Sequence, residues 1–66
     1  MEVHMPLVTI KIIEGRTIEQ KRGMAKDVTD AIVKNIGCPD TAVQIDIVDL
    51  KPENIAQGGK LFSDGR

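Results

Sequence analysis

The sequence contains no tryptophan or tyrosine and a single phenylalanine, Phe62, so it offers no aromatic platform on which nucleic-acid bases could stack. Its one cysteine, Cys38, cannot close an internal disulfide, and no cluster of Cys and His has zinc-ligand spacing. An excess of either charge is missing too: acidic and basic residues are intermixed and sum to −1, which removes the electrostatic footprint of a nucleic-acid or anionic-membrane binder. No apolar run approaches the roughly 20 residues that cross a bilayer, and no basic region followed by an apolar stretch opens the chain. A soluble, cytoplasmic protein is the expectation, and one unpaired thiol agrees with it.

Size is the last shortage. With 66 residues the chain makes one small domain, of a length that buries only about 60% of the surface its unfolded form exposes. Without disulfide or metal to staple it, such a domain gains stability by oligomerising.

What is present is a regular pattern. "LVTIKII" at residues 7–13 is dense in β-branched residues, with Val8, Ile10 and Ile12 on one face, and predicts a strand that "EGR" ends. "TIEQ" at residues 17–20 is a capping box, in which Thr17 and Gln20 satisfy each other's backbone amides, so a helix starts there. Met24, Ala25, Val28, Ala31, Ile32 and Ile36 form its apolar stripe; Gly23 interrupts the pattern and suggests close approach by another backbone; Gly37 and Pro39 stop it. "VQIDIV" at residues 43–48 alternates as a second strand. A strand, a helix and a strand joined over this span imply a right-handed βαβ unit with parallel strands.

Beyond it, Pro52 predicts a short helical turn and Gly58 with Gly59 a tight turn, so the tail reads as a hairpin or arm. The expected architecture is therefore an α/β (α+β) fold: one β-α-β unit with a C-terminal hairpin, assembled by symmetric oligomerisation. Two strands and one helix leave a sheet face uncovered, which a further copy can cover, and any pocket is then built from more than one chain.

"MPLVTIKIIEGRTIEQKRGMAKDVTDAIV" together with "GGKLFSD" resembles the 4-oxalocrotonate tautomerase family over nearly the whole chain. The specific elements are Pro after Met, "EGR" closing the first strand and "EQK" in the first helical turn, in this order and spacing. The resemblance implies β-α-β protomers assembled as dimers and commonly as hexameric trimers of dimers, with no metal or organic cofactor. It implies an enzyme that moves a proton within a small unsaturated 2-hydroxy or 2-keto acid. Pro6 matches the family's amino-terminal proline base, and Arg16 its arginine that binds a substrate carboxylate from a neighbouring chain.

Elementary chemistry makes sense of these types. An α-amino group titrates near 7.7–8.0, and apolar burial disfavours its charged form, so a desolvated amino-terminal proline is a free base near neutral pH. Arg16 adds a planar cation that pairs bidentately with a carboxylate and stabilises dienolate charge.

Three departures stand out. Gln44 occupies the place of a second family arginine, and Ile55 that of an aromatic residue; both remain candidate substrate-binding positions, Gln44 as a neutral donor and Ile55 as apolar wall. The third is "MEVH", which places residues 1–5 ahead of a domain of residues 6–66 and leaves Pro6 an ordinary amide. A start site placed too early, an appended leader and a genuine extension in a non-catalytic homologue each account for it. The alternative to an enzyme is accordingly an oligomeric binding or scaffold protein with Pro6 blocked. Cys38 reads as a buried, inert thiol, His4 as no metal ligand, and Asp46 with Asp49 as carboxylates on opposite faces of a strand.

Overall fold

The computed structural model describes residues 5–65. In chain order they form β1 (Leu7–Ile13), α1 (Ile18–Ile36), a 3-10 turn (Asp40–Ala42), β2 (Gln44–Leu50), a second 3-10 turn (Pro52–Asn54), a small hairpin of β3 (Ala56–Gln57) and β4 (Lys60–Leu61), and a last 3-10 turn (Phe62–Asp64). The expected β-α-β unit and hairpin arm are both present.

β1 and β2 pair in parallel with Leu7 beside Gln44 and Ile13 beside Leu50. Val8, Ile10, Ile45 and Ile47 are half-buried on one face, while Leu7, Thr9, Lys11, Gln44, Asp46 and Val48 are exposed on the other. β2 starts later and runs further than its alternation of residues 43–48 predicts. Val43 still belongs to the preceding turn, its N–H donating to the Asp40 carbonyl at 3.2 Å, and Leu50 is held in the ladder by the Glu14 N–H at 2.9 Å.

The capping box forms as read: the Gln20 N–H donates to Thr17 Oγ1 at 3.1 Å and the Thr17 N–H to Gln20 Oε1 at 2.9 Å. Gly37 ends α1 in the left-handed region at φ 85°, its N–H donating to the Val33 carbonyl. The half-buried stripe comprises Lys21, Met24, Ala25, Val28, Thr29, Ile32 and Val33. Ala31 and Ile36, assigned to the stripe from sequence, are exposed. A helix of 19 residues runs about 28 Å at ~1.5 Å per residue, against about 23 Å for a seven-residue strand, so the last turn overhangs the sheet. The close approach expected at Gly23 is absent within the chain: a Cβ there would meet nothing within 4 Å.

The unit does not close a core by itself. Among the described residues only Cys38 is buried, at 8% exposure, whereas Leu7 is 71% exposed. The accessible surface is 5193 Å², against about 4,100 Å² for a self-sufficient monomer of this mass.

Candidate active site

Pro6 stands immediately before β1, half-buried, and its carbonyl accepts the Gln44 N–H at 3.0 Å. That bond starts the parallel ladder and sets the proline beside the first residue of β2. Leu7 and Gln44 are register partners, so an exposed apolar side chain and a neutral amide flank the proline on the open face. No lysine or arginine occurs in residues 5–8 or 40–45. These two described stretches therefore supply no lysine or arginine beside the proline.

Arg16 lies at the other end. The segment of residues 14–17 links β1 to the N-cap of α1, turning at Gly15 with φ 116°, a conformation that favours glycine. The Arg16 side chain is exposed and makes no ion pair among the described residues. It sits past the end of β1 rather than within it. The seven-residue strand between them is about 23 Å long at ~3.3 Å per residue, and Pro6 and Arg16 lie beyond its two ends. One chain does not bring them together around a small acid.

Ile55 is half-buried between the Pro52–Asn54 turn and β3, and its carbonyl accepts the Phe62 N–H at 2.9 Å. The tail that carries it leaves the sheet at the Leu50 end, the Arg16 end. Pro6 and Gln44 thus stand together at one end of the sheet, Arg16 lies past the other end, and Ile55 is carried on the tail beyond Leu50.

Asp46 and Asp49 separate as expected. Asp46 is exposed beside Thr9, whereas Asp49, on the face of Ile45 and Ile47, accepts a hydrogen bond from Lys21 Nζ at 2.8 Å. Sequence reading set Asp49 on the opposite face from Asp46 and missed this link to the helix; "EQK" marked Lys21 without naming its partner. His4 and the rest of residues 1–4 lie outside the described residues. A shallow depression lined by Ala25, Lys26, Thr29, Asp30, Asp40 and Thr41 touches none of the candidates. Within it, Asp30 accepts from Lys26 at 2.8 Å and holds that ammonium above the ordinary lysine range. Among the described residues no group of three His, Cys, Asp or Glu is placed to hold a metal ion, and no helix is long and apolar enough to cross a membrane.

A family model described as "Tautomerase enzyme" matches residues 6–65, from the proline to the end of the described fold. The chain belongs to the tautomerase family. A probable tautomerase of Bradyrhizobium diazoefficiens is 47% identical over 58 residues, 88% of this chain and 87% of that protein. A 2-hydroxymuconate tautomerase of Bacillus subtilis is 38% identical over 60 residues, covering 91% and 97%. A heterohexameric 4-oxalocrotonate tautomerase of Chloroflexus aurantiacus superposes with a TM-score of 0.87 at 29% identity, covering 94% of this chain and all (100%) of that one. Within the tautomerases the chain is of the 4-oxalocrotonate tautomerase type, and its activity class is isomerase.

Proposed function

We propose that the chain interconverts enol and keto forms of small unsaturated 2-hydroxy or 2-keto acids, with Pro6 as general base once it is the amino terminus. The single observation that carries this reading is the hydrogen bond from the Gln44 N–H to the Pro6 carbonyl, which fixes the backbone of Pro6 at the start of a sheet whose outer face begins with the exposed Leu7. A secondary amine held there takes a proton from the substrate and leaves a conjugated dienolate. Its ammonium then returns the proton to a distal carbon, so nothing is oxidised or reduced and the base is regenerated.

Arg16 pairs with the substrate carboxylate and, because it stands a strand's length from its own Pro6, acts on a neighbour's proline. Homo-oligomerisation supports this arrangement: the uncovered sheet face calls for a second copy, and the Chloroflexus relative is a heterohexamer. A hexamer built as a trimer of dimers is the expected assembly. Gln44 supplies a neutral hydrogen bond beside the proline, and Ile55, carried on the tail beyond the far end of the sheet, supplies from a neighbouring chain an apolar wall that keeps the amine's proton affinity low. The Bacillus subtilis relative's name, 2-hydroxymuconate tautomerase, supports an unsaturated 2-hydroxy acid as substrate.

Turnover decides between this reading and a blocked, non-catalytic homologue. The chain beginning at Pro6 should ketonise a 2-hydroxydienoate, and the chain keeping residues 1–5 should not; loss of those residues in the intact mass of the native protein supports catalysis. Absence of turnover by the trimmed chain across several 2-hydroxydienoates, or equal turnover by both forms, rejects the mechanism.

A further inference from the structure

The segment carrying Arg16 is held in a closed ring of bonds. At one end the Glu14 N–H donates to the Leu50 carbonyl at 2.9 Å. At the other, Thr17 and Gln20 cap the helix reciprocally, and the Lys21 N–H donates to the Thr17 carbonyl at 3.1 Å. Those contacts tie the segment to the sheet and to the helix, but not the helix to the sheet. The missing link is the Lys21 side chain, which donates to Asp49, the neighbour of Leu50, at 2.8 Å. Leu50, Glu14, Gly15, Arg16, Thr17, Lys21 and Asp49 thus close on themselves.

Opening that ring frees a hinge. Gly15 carries no Cβ, has φ 116° and has open space around it, so nothing at the turn itself fixes the direction of Arg16. Packing beneath α1 is thin, since none of its residues is fully buried. The ion pair is the one polar tie between the helix and β2 among the described residues.

We infer that Lys21 and Asp49 are positioning residues for Arg16, whose ion pair holds the 14–17 segment in place and thereby sets the affinity for the substrate carboxylate. This rests on the reading of Arg16 as the carboxylate clamp. Neither residue touches substrate. Their effect passes through the direction of a guanidinium, whose paired N–H groups tolerate little misalignment with a carboxylate.

The test combines amide hydrogen exchange on the full chain with steady-state turnover of a 2-hydroxydienoate by the same variants in the active amino-terminal form. In Lys21→Met and Asp49→Asn the Glu14 and Thr17 amides should exchange faster, and KM should rise by up to about fivefold with kcat little changed. Lys21→Arg should restore both readouts. Added to Arg16→Ala, Lys21→Met should raise KM no further, because the residue it positions is gone. Unchanged exchange, or additive effects on KM, overturns the inference. A raised KM in Arg16→Ala beside an unchanged KM in Lys21→Met overturns the inference alone, whereas an unchanged KM in Arg16→Ala overturns the clamp reading and this inference with it.

Discussion

Lys21 Nζ lies 2.8 Å from the Asp49 carboxylate across 28 residues of sequence, joining the first turns of α1 to the end of β2. The two side chains are 28% and 43% exposed, so solvent screens the pair and its stabilisation is about 0.2–1 kcal/mol. Lys21→Met should therefore lower the melting temperature by no more than about 8 °C at fixed protein concentration, as differential scanning calorimetry would record. A larger loss would mean that the pair holds the fold itself and not merely one segment.

Thr17 is the second support of that segment. Thr17→Ala removes the acceptor for the Gln20 N–H while leaving the backbone N–H that donates to Gln20 Oε1, at a cost of about 1 kcal/mol. Urea unfolding should show a lower midpoint with an unchanged slope.

Replacing the proposed base should act on the chemical step. In the chain beginning at residue 6, Pro6→Ala leaves a flexible primary amine, and kcat should fall by about 100-fold or more. The same preparation should show an unchanged assembly by sedimentation, which separates loss of the base from loss of the oligomer.

The pH profile follows from the same group. An amine must be unprotonated to act as base, so kcat/KM should rise with pH through a midpoint below the ordinary α-amino value of about 7.7–8.0. Below that midpoint the proline is protonated and activity falls. A midpoint at or above the ordinary range would argue that the amine is exposed to water.

Gln44 tests the charge of the proline end. Gln44→Arg places a cation where residues 5–8 and 40–45 have none. The ratio of kcat/KM for a dicarboxylate over a monocarboxylate should rise, by roughly tenfold for one added charge-assisted pair. Competition between the two substrates measures it directly.

Local signals decided much of this protein. The alternation of residues 7–13, the Thr17 and Gln20 box and the Gly37 stop each draw on interactions within a few residues, and all three form as read. The parallel pairing followed from the order strand, helix, strand, because one helix running back along the sheet returns the chain to the starting end of β1. The motifs around Pro6 and Arg16 also carried the family.

Other features were settled only when distant segments met. Whether Asp49 was solvated or paired depended on the helix lying over that face of β2, and Ile36 missed the core because the helix outruns the sheet. The family resemblance already assigned Pro6 and Arg16 to different chains; what the structure adds is the reason, since the extended strand between them sets the two at opposite ends of one protomer's sheet. A β-strand is a rigid spacer, and so the joining of base and clamp passes from the chain to its assembly.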